Sequence, residues 1–237
     1  MKNFKLQKLN KRWLLFNPEL MQAPCDEYFS CAAMKEKKAV IGSAGGRGET
    51  CFYQAENNTW ALRHYLRGGL VAKILSDHYF GVRLKNTRAW KEWHLLNEML
   101  ALGLPVPKPV AASIIKKALF YQADLITEYI AETSTLAERL EKAGLENNIW
   151  FSIGACIRSF HENNVYHADL NAKNIMLDEQ QKIYLIDFDQ CRFRSDGGWK
   201  IKNIERLRRS LDKFSAKDKD FFFNEDNWAA LMAGYQQ

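Results

Sequence analysis

The sequence predicts an α+β fold, with a β-rich N-terminal part, one helix, and a C-terminal part built mostly from helices. Three observations carry that prediction. Strand-like segments around a glycine-rich turn dominate the region before Leu104. The stretch "GLPVPKPVA" then places Pro105, Pro107 and Pro109 where neither a helix nor a central strand accepts them, which marks a connection between subregions. Beyond it the apolar residues recur mostly at helical spacing. At 237 residues and 47% hydrophobic, the chain can bury a sizeable core as a single domain, with lobes of about 35–130 and about 131–237.

In chain order, "AVIGSAGGRGETCFYQAE" and "TWALRHYL" are expected to be strands around the glycine-rich turn. "NTRAWKEWHLLNEMLALG" is expected to be a helix capped by Asn86 and stopped at Gly103, with Leu95, Leu96 and Met99 on its core face. "LFYQADLITEYI" reads as a strand, "LAERLEKAG" and "NNIWFSIGACIRSFHENN" as helices, and "KIYLIDFD" as a buried strand that runs into acidic residues. "GWKIKNIERLRRSLDKF" has an apolar helical stripe of Ile201, Ile204, Leu207, Leu211 and Phe214, alongside Lys200, Lys202, Arg206, Arg208, Arg209 and Lys213. No internal repeat or low-complexity linker interrupts this order.

Several function classes are excluded early. No stretch approaches the roughly 18 apolar residues of a membrane span, and the start has only the short apolar run Trp13 to Phe16, so a cytosolic chain is expected. Cys25, Cys31, Cys51, Cys156 and Cys191 are odd in number and form no C-x-x-C pair, which predicts reduced thiols and neither zinc nor redox chemistry. The net charge of +6 favours an anionic partner, whether nucleic acid, a phosphorylated ligand or an acidic membrane.

The chemistry concentrates in "YHADLNAKNIML" and "LIDFDQ". Together they bring three oxygen-bearing side chains, Asp169, Asn174 and Asp187, onto two short segments. Phosphoryl transfer from a nucleotide asks little covalent help of a protein: it needs Mg²⁺ on the phosphates and a carboxylate to orient and deprotonate the attacking hydroxyl. Mg²⁺ takes hard oxygen ligands, so Asn174 and Asp187 suit the metal and Asp169 is left as the base. An Asp in a turn is commonly only a turn former; the joint H-x-D-x-x-x-x-N and D-F-x spacing resembles the catalytic and metal loops of the protein-kinase-like superfamily.

That resemblance implies a bilobal fold and assigns further roles. Gly42, Gly45, Gly46 and Gly48 in "VIGSAGGRGETCFY" would let backbone N–H groups approach ATP phosphates, although the spacing departs from G-x-G-x-x-G. Arg63 in "WALRHY" stands where kinases carry a phosphate-binding Lys, and it differs from Lys in reach and geometry. Glu92 would be its partner, with Glu98 as a spare. His167 is expected to brace the loop, while Lys173 either neutralises the transferred phosphoryl group or is a solvated loop residue. Asp189 takes the glycine place of D-F-G and either joins the metal shell or turns the chain.

Only 48 residues follow Asp189 and no A-P-E anchor occurs, so the C-terminal lobe is reduced and the acceptor is expected to be a small molecule or glycolipid, not a peptide. "GSAGGRGE", "LRHYLRGGLVAK", "GLPVPKPVAA", "YHADLNAKNIML", "LIDFDQCR" and "GWKIKNIERLRRSL" together resemble the 3-deoxy-D-manno-octulosonic acid (Kdo) kinases of Gram-negative bacteria, over about Gly42 to Phe214. The resemblance implies ATP- and Mg²⁺-dependent phosphorylation of the 4-hydroxyl of Kdo on a lipid A precursor. The work would be done by a peripheral protein on the cytoplasmic face of the inner membrane. It implies a Kdo-lipid A acceptor and an anionic membrane surface as partners; nucleic-acid binding, which only the pI supports, is not expected, and no protein partner is predicted. A lipopolysaccharide heptose kinase and an inactive kinase-like binding protein are the alternatives. For the basic C-terminal helix two readings stay open: a packed terminus with a solvated basic side, or a surface for an anionic glycolipid or membrane.

Overall fold

A computed structural model describes residues 4–44, 50–65, 79–80, 83–117 and 120–237. It is mixed α+β, with a large antiparallel sheet in the N-terminal region and a helical C-terminal part, as the kinase-like reading requires. The chain forms two compact units, one of Met1–Glu98 with Pro107–Tyr129, the other of Met99–Val106 with Ile130–Gln237.

The first unit is built on an eight-stranded sheet of β1 (Lys5–Leu9), β2 (Arg12–Phe16), β3 (Val40–Ala44), β4 (Thr50–Ala55), β5 (Asn58–His64), β6 (Tyr79–Phe80), β7 (Pro109–Lys117) and β8 (Phe120–Glu128). Its order is β1-β2-β7-β8-β5-β4-β3, with β6 also paired to β8. Glu56 and Asn57 both have positive φ, 48° and 63°, so β4 and β5 are joined by the two-residue turn whose twist suits a hairpin. One face carries a core of Leu14, Phe16, Met21, Phe29, Met34, Tyr53, Trp60, Val110 and Ile126. The short helix α1 (Cys31–Glu36) starts at Ser30, whose hydroxyl accepts from the Ala33 N–H at 3.2 Å.

Two expectations are corrected here and one unassigned stretch is filled. Cys31 and Cys51 are joined in a disulfide and not reduced, because α1 packs Cys31 against β4 with the two Cα atoms 5.9 Å apart. Residues 5–16, unassigned from the sequence, form β1 and β2, which extend the sheet through pairing of Leu14 with Ser113. Helix α2 (Arg88–Ala101) begins after Thr87, not at an Asn86 cap, since Asn86 ends a 3₁₀ turn that the Thr87 N–H closes on the Leu84 carbonyl, with Thr87 itself extended. Its other end matches: Gly103 has φ +75°, and the Gly103 and Leu104 N–H groups return to the carbonyls of Leu100 and Met99 at 3.0 Å each.

In the second unit, α3 (Leu136–Leu140) follows the two-residue β9 (Ser134–Thr135), and α4 (Asn147–Glu162) leads into β10 (Val165–Tyr166). Strands β11 (Ile175–Leu177) and β12 (Ile183–Leu185) form an antiparallel pair, and β13 (Arg192–Phe193) pairs with β10. The chain ends in α5 (Trp199–Lys217) and α6 (Glu225–Gln236). Helices α4 and α6 meet through Gly154 and Gly234, where an added Cβ would lie 1.9 Å from the Leu231 carbonyl oxygen and 2.0 Å from that of Phe151. Helix α5 buries Trp199, Asn203, Ile204, Leu207 and Leu211. Ile201, expected on that stripe, is 64% exposed, and Asn203 takes an inward place instead.

Candidate active site

Two adjacent strand ends bring the candidate residues together. The Ile186 N–H donates to the Asn174 carbonyl at 3.0 Å, so Asn174 and Asp187 leave the β11–β12 pair side by side. Between β10 and β11, the loop with Asp169 is tied down by its own polar residues. The Asp169 carbonyl accepts from Asn171 Nδ2 at 2.9 Å and from Asn174 Nδ2 at 2.8 Å, and its N–H donates to His167 Nδ1 at 3.2 Å. Because Asn174 uses its amide nitrogen in this way, its oxygen is left as the ligand-type atom.

His167 therefore accepts at Nδ1 and donates from Nε2 to the Ile186 carbonyl at 3.0 Å, linking the catalytic loop to the residue before Asp187. Burial pushes its pKa below the ordinary histidine value, and the bond to Ile186 opposes this only in part, so it stays neutral and braces the loop as expected. Asp187 has φ +62°, a left-handed conformation that costs a non-glycine residue roughly 1–3 kcal/mol unless its surroundings impose it. They do. The next residue, Phe188, is buried, stacks on Phe160 at 5.9 Å between ring centres and contacts the His167 ring at 5.0 Å, while Asp187 itself is exposed.

Helix α5 backs the loop with a polar stripe that sequence reasoning missed. Asn203 receives the His167 N–H at 3.3 Å and donates to the His167 carbonyl at 2.9 Å. Ser210 accepts from the Ala172 N–H at 3.3 Å. Arg206, between them, donates from Nε at 3.0 Å and from Nη2 to Asp169 Oδ1. Residues 203, 206 and 210 share one helix face, and that three- and four-residue polar spacing was the signal available in the sequence.

Much of the helix's positive charge is thus paired within the protein. Arg208 bonds Asp212 and Glu225, and Lys200 meets Asp196 at 2.9 Å. Lys173 places its ammonium over the Phe214 ring at 5.7 Å.

The first unit brings together the other predicted pair. Arg63 on β5 bonds the Glu92 carboxylate of α2, and the Tyr65 hydroxyl donates to the same Glu92 oxygen at 2.6 Å. The Arg63 guanidinium also lies 4.9 Å from the centre of the Tyr65 ring. Burial, reinforced by the neighbouring Glu92 carboxylate, holds the Tyr65 phenol well above its ordinary pKa, so it remains a donor. Glu92 is buried, while Glu98, the spare candidate, is exposed. Gly42 lies on β3, where among the described residues a Cβ would meet the Phe52 ring at an ordinary 3.6 Å. Gly45, Gly46 and Gly48 lie outside the described residues.

One unit carries a carboxylate braced on one oxygen beside two oxygen-bearing side chains on neighbouring strand ends, the other a part-buried Arg–Glu pair, and these are the residue types a kinase, an ATP-dependent phosphotransferase, uses. The comparison with known proteins agrees. Residues 32–235 match the lipopolysaccharide kinase (Kdo/WaaP) family, and the chain belongs to that family. It is 41% identical over 222 residues to a 3-deoxy-D-manno-octulosonic acid kinase of Photobacterium damsela subsp. piscicida, covering 93% of this chain and 92% of the relative. A protein of the same name from Haemophilus influenzae (strain PittEE) is 41% identical over 238 residues, 96% of this chain and 98% of the relative. One from Vibrio vulnificus (strain YJ016) is 38% identical over 230 residues, 97% of each.

Proposed function

We propose that the chain phosphorylates the 4-hydroxyl of the Kdo sugar on a lipid A precursor, with ATP as donor. The observation that carries this reading is the loop of Asp169, Asn174 and Asp187, in a chain whose relatives are named for that sugar. Asp169 has one carboxylate oxygen on Arg206, and the other meets no donor among the described residues. That free oxygen accepts the hydroxyl proton as the sugar oxygen bonds to the γ-phosphorus and the bond from phosphorus to the ADP oxygen breaks.

Asn174 and Asp187 fit a hard cation, since both present oxygen from rigid strand ends. Mg²⁺ held by them would neutralise charge on the ATP phosphates. Arg63, fixed by Glu92 and Tyr65, grips those phosphates, and Gly45, Gly46 and Gly48, outside the described residues, are of the residue type whose backbone can approach them without a Cβ in the way. Lys173 supplies positive charge to the transferred group by leaving the Phe214 ring.

The same reading places the protein on the anionic cytoplasmic face of the inner membrane. Exposed Arg192, Phe193 and Arg194, with Ile201 and Lys202 on α5, support it, as they combine apolar and cationic side chains. No helix among the described residues is long and apolar enough to cross a membrane. The test is incubation with ATP, Mg²⁺ and either a Kdo-bearing or a heptose-bearing acceptor, followed by mass spectrometry. Phosphate on the Kdo acceptor is expected; phosphate on the heptose acceptor alone would replace this reading with the heptose kinase.

A further inference from the structure

Arg206 does more at Asp169 than balance a charge. It approaches a single carboxylate oxygen, Oδ1, with both Nε and Nη2, and so uses only one edge of its guanidinium. Nη1 meets no acceptor among the described residues, and the Arg206 and Asp169 side chains are 47% and 51% exposed. The edge formed by Nη1 and Nη2 is the flat two-donor fork that matches a carboxylate. The free Oδ2, the atom proposed to take the proton, belongs to the same Asp169 carboxylate that the other edge holds through Oδ1. One ion pair thus offers a carboxylate receptor and a base. An octulosonic acid carries its carboxylate on carbon 2 and the reacting hydroxyl on carbon 4 of the same ring, two carbons apart, which is the same juxtaposition.

We infer that Arg206 is the receptor for the acceptor's carboxylate. It binds that group through its Nη1–Nη2 edge while its other edge holds Asp169, which sets the 4-hydroxyl against Oδ2. The inference rests on the reading of Asp169 as base and of an acidic sugar as acceptor. It also answers an electrostatic problem: without Arg206, an anionic sugar would present its carboxylate to the carboxylate of Asp169, a repulsive pair at short range. The fixed position of Arg206 comes from Asn203 and Ser210, one turn to either side, which fasten α5 to the same loop.

The test compares two acceptors, the Kdo-bearing lipid A precursor and the same molecule with the sugar carboxylate converted to a primary carboxamide, on full-length wild type, Arg206→Ala and Arg206→Lys. Wild type should prefer the acid in kcat/KM by about 10- to 100-fold, the range for a charge-assisted hydrogen-bonded pair. Arg206→Ala should lose that preference or reverse it, and Arg206→Lys should keep part of it, having charge without the fork. Because each preference is a ratio within one protein, any loss of folded material cancels. A wild type indifferent to the carboxamide, or an Arg206→Ala variant that keeps the wild-type preference, would overturn the inference alone. Failure of wild type to phosphorylate either acceptor would overturn the functional reading, and this inference with it.

Discussion

His161 gives the fold a predictable response to acid. It lies on α4, buried beneath α5 and α6, where its Nδ1 receives the Tyr235 hydroxyl at 2.7 Å and its Nε2 donates to Asn203 Oδ1 at 3.3 Å. Trp199 packs edge-on at 5.2 Å, and Lys200 and His167 are its charged and titratable neighbours. Burial pushes its pKa from the ordinary 6.5 down to about 4, with the bond to Asn203 opposing and Lys200 and His167 assisting. Above pH 6.5 the ring is neutral in both the folded and unfolded chain, and its full contribution is present. As pH falls from 6.5 towards 4, the unfolded chain binds a proton that the folded chain refuses, so stability is lost; below about 4 both are protonated and the loss stops. At about 1.4 kcal/mol for each tenfold in proton affinity, the loss is about 2 kcal/mol at pH 5 and reaches about 3 kcal/mol in full. Urea unfolding of wild type and His161→Gln between pH 7.5 and 4.5 measures it. The variant starts lower, because it loses packing, but its stability should fall with acid less steeply than wild type by about that amount. Parallel curves for the two proteins would refute the reasoning.

Three further outcomes follow from the same geometry. Asn174→Ala and Asp187→Ala should each abolish or greatly reduce Mg²⁺-dependent turnover while circular dichroism stays unchanged, since Asp187 is an exposed oxygen at a strand end and Asn174→Ala removes, besides its oxygen, only the Nδ2 bond to the Asp169 carbonyl; wild-type rates at ordinary Mg²⁺ would count against the metal assignment. Arg63→Ala should raise the cost of ATP use by about 1.5–3 kcal/mol, as for a charged hydrogen bond, with Arg63→Lys recovering only part; unchanged KM and kcat for ATP would show that other groups hold the phosphates. Gly154→Ala should lower the unfolding free energy by at least about 1–3 kcal/mol, because its Cβ would fall 1.9 Å from the Leu231 carbonyl oxygen of α6; a thermal melt at the wild-type temperature would show that the helices separate without cost.

What was legible in the sequence was local. The spacings among His167, Asp169, Asn174 and Asp187 survive translation into structure because two adjoining loops and one short hairpin hold all four. Arg63 and Glu92 could be paired only through the kinase template, since nothing local links a strand residue to a helix residue 29 positions away. Where no template helped, long-range packing decided. Arg206 read as one cation among several on a basic helix, because its partner Asp169 lies 37 positions earlier. The strand Arg12–Phe16 was not legible as a strand because its hairpin partner β1 is a largely exposed, lysine-bearing run and its other neighbour β7 comes about a hundred residues later. Cys31 and Cys51 pair only because α1 folds back on β4, a contact that cysteine counting does not contain. Asn203 resembled a neutral surface residue until the loop it fastens was in place.

The most direct test of the whole account is ³¹P NMR of the product that wild type and Asp169→Asn make from ATP, Mg²⁺ and the Kdo-bearing lipid A precursor. Asparagine keeps the size of the side chain and removes its capacity to take a proton. The account predicts a single new phosphomonoester on carbon 4 of the sugar with wild type, and almost none with Asp169→Asn. Phosphate at another position, or a comparable yield from Asp169→Asn, would contradict it.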